Sequence, residues 1–232
     1  VVVGAAVAGV LLLAAVAVLG PRLLSGGPPG ITDVLYRENF SSDTSGWSNS
    51  LTGLTTAQGY TGEGRYTMLT DGSGVDRWAV AVVNAEIPDR VLVGVKTEIV
   101  QGARNGAWAG IYCEYSKDRQ PENSFYYALD FGPDGRARIG KGVAERIWDL
   151  TADVPIPGFG KGPVALRARC ERGDGEIRVE LWAGDRLVAG VVDTEVEGAV
   201  GRPSFGLHVQ QRAGAEAATR AYFDDFEIGR LS

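Results

Sequence analysis

Breaking a glycosidic bond takes two carboxyl groups about 5–9.5 Å apart across a cleft. Glu98, Glu114 and Glu180 all occupy the polar register of alternating segments, where such groups would have to stand. Carboxylates in that register ordinarily do no more than solvate a sheet, so no catalytic residue is expected among them. The lone histidine, His208, leaves no material for a Ser-His-Asp set or a multi-histidine metal site. Residues 158–163 (GFGKGP) lack the spacing of a phosphate-binding loop and read as a turn. What remains is recognition. Trp108, Tyr112, Arg167, Arg169, Arg178 and Trp182 share the polar register with Glu114. Rings that can stack on a sugar and charged groups that can bond its hydroxyls suit a glycan. Trp and Arg also suit a protein interface, where both are enriched. These seven residues are the candidate ligand-binding set. A net charge of −6 disfavours nucleic acid.

Two cysteines, Cys113 and Cys170, fall on the apolar register of their segments, so both can face one core. The even count and matching faces favour a disulfide, and there is no CxxC spacing for a metal. A disulfide in turn implies an oxidising, extracytoplasmic compartment.

The elements that must position these groups are strands. In 91–100 (VLVGVKTEIV), Val91, Val93, Val95, Thr97 and Ile99 share a face. In 108–115, Ala109, Ile111 and Cys113 alternate against Trp108, Tyr112 and Glu114. The segment 124–131 ends at Gly132-Pro133-Asp134-Gly135, a strong turn signal, and 136–140 returns. Val164, Leu166, Ala168 and Cys170 oppose Arg167 and Arg169; Ile177, Val179 and Leu181 follow inward, and Ala183-Gly184-Asp185 turns into 186–192. The segments 204–210 and 220–228 close the pattern. Such alternation predicts antiparallel sheets with one wet face, hence an all-β, two-sheet jelly-roll sandwich.

Ahead of it, residues 1–19 are uninterruptedly apolar. Their length suits one transmembrane α-helix, expected over 1–24 and ended by Gly20-Pro21-Arg22. Small residues at Gly4/Ala8 and Ala5/Gly9 would allow it to pack against another span in a larger membrane assembly. A Gly/Pro linker over 25–32 and an extracytoplasmic sandwich over 33–232 complete the expected organisation.

Several pieces, in order, resemble the concanavalin A-like jelly-roll superfamily, in particular laminin-G-like and keto-disaccharide-hydrolase-like domains of bacterial surface proteins. They are Glu38-Asn39-Phe40 with Ser45-Gly46-Trp47, Gly110-Ile111-Tyr112-Cys113, Tyr126-Tyr127-Ala128-Leu129, Leu166-Arg167-Ala168-Arg169-Cys170, Leu181-Trp182-Ala183-Gly184 and Tyr222-Phe223-Asp224-Asp225-Phe226. Trp182 departs from the related hairpins, which often carry a smaller or polar residue there. Similar domains stand behind a single membrane helix, including ectodomains of bacterial Ser/Thr kinases. The resemblance implies a structural Ca²⁺ between first and last strands, held by Glu38 with Asp224 or Asp225. The superfamily contains lectins, binding modules and glycosidases, so fold leaves function open. The expectation is a membrane-anchored module that binds a protein partner or a cell-envelope glycan and is not an enzyme. The alternatives are a glycan-cleaving hydrolase of the keto-disaccharide type and the sensory ectodomain of a kinase.

Overall fold

The computed structural model describes residues 17–18, 27–50, 57–70, 77–81, 83, 86–102, 106–116, 121–144, 146–160, 162–211 and 217–232. They form two antiparallel sheets and a single 3-10 turn, Pro121–Asn123. In chain order the strands are β1 Ala17–Val18, β2 Ile31–Glu38, β3 Ala57–Tyr60, β4 Tyr66–Thr70, β5 Arg77–Val80, β6 Arg90–Gln101, β7 Ala107–Glu114 and β8 Phe125–Phe131. They continue as β9 Arg136–Val143, β10 Arg146–Asp149, β11 Val154–Pro155, β12 Val164–Arg172, β13 Ile177–Ala183, β14 Arg186–Asp193, β15 Ser204–Gln211 and β16 Thr219–Leu231. One sheet has nine strands in the order β1-β14-β13-β12-β6-β16-β4-β3, with β2 also on β16; the other has seven, β10-β9-β8-β7-β15-β5, with β11 also on β9.

The alternation works as expected. Val91, Val93, Leu166, Ala168, Ile177, Val179 and Leu181 from the larger sheet meet Ala109, Ile111, Leu129, Ile139, Phe205 and Leu207 from the smaller one. Cys113 on β7 and Cys170 on β12 are bonded across this core, their Cα atoms 6.5 Å apart. The turn at 132–135 is a tight hairpin: Gly132 N–H donates to Arg136 O at 2.8 Å, and Gly135 takes a φ of 75°. At one end of the sandwich, Phe40, Trp47, Tyr66 and Phe226 form an aromatic cluster with ring centroids 5.1–5.5 Å apart. The first and last motifs of the sequence therefore meet in space as packing partners.

One expectation falls almost wholly outside the described residues, and one needs correction. Of the apolar stretch expected to span a membrane as a helix over 1–24, only Ala17–Val18 are among the described residues. They pair antiparallel with Val191 and Val192 of β14 rather than forming a helical turn. Among the described residues no helix is long and apolar enough to cross a membrane; the rest of that stretch lies outside them. Second, the expected wet face is missing from the middle of the smaller sheet. β8 is buried along its whole length on both faces, and β7 on all but Glu114. The reason is the outward-facing residue types, which are rings and an arginine that cover one another.

Burial of phenols makes the fold sensitive to alkali. Burial pushes the Tyr66 hydroxyl, which donates to Ser48 O, up to about 12 from 10.0, and burial likewise raises Tyr115 and Tyr127. The folded state thus keeps protons that the unfolded chain releases near pH 10. Stability is fully present below that pH and is lost as pH rises toward 12. Urea midpoints should fall steadily over this interval, with tyrosinate absorbance appearing as the chain unfolds; a flat midpoint would contradict the burial.

Candidate functional site

The outward register of the smaller sheet gathers Trp78 (β5), Trp108 and Tyr112 (β7), Tyr126 and Asp130 (β8), Arg138 (β9), and His208 and Gln210 (β15). Adjacent strands align them: Gly110 lies opposite both Asp130 and His208, and Asp130 opposite Arg138. Glycines let the rings lie flat. A Cβ on Gly142 would sit 2.1 Å from the Tyr126 ring, and one on Gly206 would sit 2.8 Å from the Tyr112 ring.

At the centre, His208 Nδ1 stands 3.0 Å from Asp130 Oδ1. A carboxylate partner fixes the proton on Nδ1, which leaves Nε2 as the free lone pair. The Trp78 ring stacks on the imidazole at 4.1 Å and meets Tyr126 edge-on at 4.5 Å. Arg138 spreads its guanidinium over the Trp108 ring, 3.9 Å from the centroid. One terminal nitrogen donates to Asp149 Oδ1 at 2.7 Å; the other donates to Gln210 Oε1 and lies 3.9 Å from Asp130 Oδ2. Asp130 is 0% exposed, His208 1% and Arg138 3%, so these are polar groups withdrawn from water. Trp108 Nε1, Asp130 Oδ2, Arg138 Nε and His208 Nε2 are buried with no hydrogen-bond partner among the described residues. Four such atoms on one face are unusual, because a buried polar group without a partner costs about 1–3 kcal/mol. Chemically, the cluster offers a base oriented by a carboxylate, a cation beside it, and two carboxylates, Asp130 and Asp149, flanking one guanidinium.

The seven residues expected to share a binding face divide between the two sides of the sandwich. Trp108, Tyr112 and Glu114 are on the smaller sheet; Glu114 accepts from Ser204 Oγ at 2.8 Å, away from His208. Arg167, Arg169, Arg178 and Trp182 are on the outer face of the larger one. There Arg167 pairs with Asp185 at 3.2 Å, Arg169 with Glu171 and Glu180, and Arg178 with Glu180 at 3.7 Å. Burial alone would raise the Glu171 carboxyl, but Arg169 and then Arg90 outweigh it and hold it below its ordinary range. Trp182 packs with Leu92, Leu187 and Leu231 in a satellite cluster. The carboxylates Glu114 and Glu180, weighed above as a cleaving pair, are likewise on opposite faces.

Of the three acidic residues expected at a calcium site, Asp224 and Asp225 stand where β16 bulges between Asp224 and Glu227, and Glu38 on β2 lies opposite Phe226. Each has a protein partner. Glu38 Oε1 accepts from Phe40 N–H at 2.6 Å, Asp224 Oδ1 from Asp225 N–H at 2.8 Å, and Asp225 pairs with Lys96 at 2.5 Å. Among the described residues no three His, Cys, Asp or Glu side chains converge on a position that could hold a metal ion.

Alternation in the sequence did not single out Asp130, Arg138, Gln210, Asp149 or Trp78, and gave His208 no role. A signal was present. Gly110, Gly140, Gly142 and Gly206 all fall in the outward register, marking a face that rings must cross closely.

No family model and no curated protein matches the chain. Solved structures do. A laminarinase from Flavobacterium sp. UMI-01 superposes with a TM-score of 0.54 at 10% identity, covering 85% of this chain and 100% of its own. Arcelin-5, a lectin-like defence protein from Phaseolus vulgaris, gives 0.51 at 11%, covering 85% and 98%. Alginate lyase A1-II′, of polysaccharide lyase family 7, gives 0.53 at 14%, covering 78% and 85%. At such identities the likeness establishes the fold alone, a concanavalin A-like jelly roll. It also overturns the expectation of a module that is not an enzyme, because the sandwich is one that glycan-cleaving enzymes use.

Proposed function

We propose that the domain is a glycan-cleaving enzyme working at the outer face of its seven-stranded sheet. The observation that carries this is the cluster of buried polar atoms left unpaired on that face, with a carboxylate-oriented imidazole at its centre. His208 Nε2 withdraws the proton, from water in a hydrolysis or from a sugar carbon in an elimination, and the imidazolium hands it to the glycosidic oxygen as the C–O bond breaks and the alcohol departs. Asp130 holds the ring and stabilises the imidazolium that forms. Arg138 offsets the negative charge that develops alongside, at strength because water is excluded. Trp108 and Trp78 supply rings for a sugar to stack on. The Cys113–Cys170 disulfide supports an extracytoplasmic setting, and the expected N-terminal anchor would hold the domain at the cell surface.

The test is a panel of neutral β-glucans, cell-envelope glycans and polyuronides, with products read by mass spectrometry. New reducing ends mark hydrolysis, and unsaturated uronates mark elimination. Asp130→Asn keeps an acceptor for His208 Nδ1 but removes the charge that stabilises imidazolium, so turnover, read at a temperature where the variant is folded, should fall by about 10²–10⁴. No product from any glycan, or an Asp130→Asn chain as active as the parent, overturns the proposal.

A further inference from the structure

Inside the sandwich, away from that face, a lysine points into the core. Lys141 on β9 lies in the inward register with Ala137 and Ile139 and is 2% exposed. Its Nζ is 2.6 Å from Asp193 Oδ2 and donates to Glu195 O at 2.6 Å, with the Phe125 ring 5.0 Å away. Asp193 ends β14 and is 3% exposed. Its Oδ2 also accepts from the Tyr127 hydroxyl at 2.6 Å, and its Oδ1 from Glu195 N–H at 2.9 Å. The two carboxyl oxygens are therefore unlike. Oδ1 is held by one backbone amide, as a carbonyl oxygen would be. Oδ2 is met by two proton donors, as a departing oxygen would be.

We propose that Lys141 and Asp193 condense to an intramolecular amide, Nζ to Cγ, with loss of one water. The nitrogen lone pair attacks Cγ, and the Cγ–Oδ2 bond breaks. The two protons lost by the ammonium end on Oδ2, one directly and one relayed through the Tyr127 hydroxyl, which regains what it gives. Oδ1 becomes the amide oxygen. Charge balances, since an ammonium and a carboxylate give a neutral amide and water, and nothing is oxidised or reduced. Burial, then the Asp193 hydrogen bond and charge, raises the Tyr127 phenol, so it enters the relay protonated. Two features favour the step. Fixed neighbours react with effective molarities up to about 10⁵–10⁸ M, and a buried ion pair carries a desolvation cost that an amide does not. The link joins the smaller sheet to the larger one, as the disulfide does.

Intact mass of the purified chain, reduced and denatured, tests this without any substitution. The expected mass is one water below the sequence value, with fragmentation finding a branched peptide that joins Lys141 to Asp193. Lys141→Met and Asp193→Ala should each restore the sequence mass, and Tyr127→Phe should lower the cross-linked fraction at least tenfold in freshly made protein. A full sequence mass, with Lys141 open to an amine reagent after denaturation, overturns the proposal, as does a water lost at any other position.

Discussion

A chain carrying Arg138→Met should unfold about 3–5 kcal/mol more easily than the parent, the usual result of removing one member of a buried charge network. Methionine keeps much of the stem that lies on Trp108, so the loss reports the charge rather than the packing. What it leaves behind is Asp130, fully buried, with His208 as its sole close polar partner among the bonds described. Asp149 matters less because it is 39% exposed and can be hydrated. The double variant Arg138→Met with Asp130→Asn should regain a large part of the deficit, because the stranded charge is then gone. Urea unfolding of the four chains closes the cycle. A single variant within 1 kcal/mol of the parent would show that the guanidinium is not what compensates the buried Asp130 side chain.

Replacing both Cys113 and Cys170 with Ala should cost about 4 kcal/mol, the chain-entropy value for a bridge between residues 57 apart. Both sulfurs are in the core, and Ala leaves little polar mismatch, so the midpoint should fall, while the slope of the urea transition rises because the unfolded chain is freed to expand. The Lys141–Asp193 link would close a loop that interleaves with this one, 141–193 across 113–170. In a Lys141→Met chain the unfolded state is less constrained, and the disulfide should then contribute its full amount. A cysteine-free chain as stable as the parent in both backgrounds would rule out the bridge as a support of the sandwich.

Periodicity made most of the strands legible. A side chain every second residue assigns a face, and in β6, β12 and β13 that assignment placed the core correctly and brought Cys113 to Cys170. It does not say which sheet a strand joins. Trp108 and Trp182 read alike in the sequence, yet they stand on opposite sides of the molecule, because β7 and β13 belong to different sheets. Nor does it say whether the outward face stays wet. Asp130 in Phe125–Phe131 reads as the solvated residue of an amphipathic strand. It is buried because Arg138 returns opposite it across the hairpin, while Trp78 and His208 arrive from strands far along the chain. Lys141 misled in the opposite sense: it sits in the inward register, where a lysine is unexpected, and its partner Asp193 closes a strand of the other sheet.

The short edge strand β10, Arg146–Asp149, is exposed at every residue and has a neighbour on one side alone. It also carries Asp149, the outermost member of the charge network around Arg138. Local opening begins where hydrogen bonds are few and solvated, and here that place is this edge. When β10 peels from β9, Asp149 leaves with it and a side of the guanidinium meets water, while β7 and β8 remain paired on both sides. The buried cluster is therefore joined to solvent by a hinge four residues long, and its hydration follows the fraying of that margin rather than the unfolding of the whole sandwich.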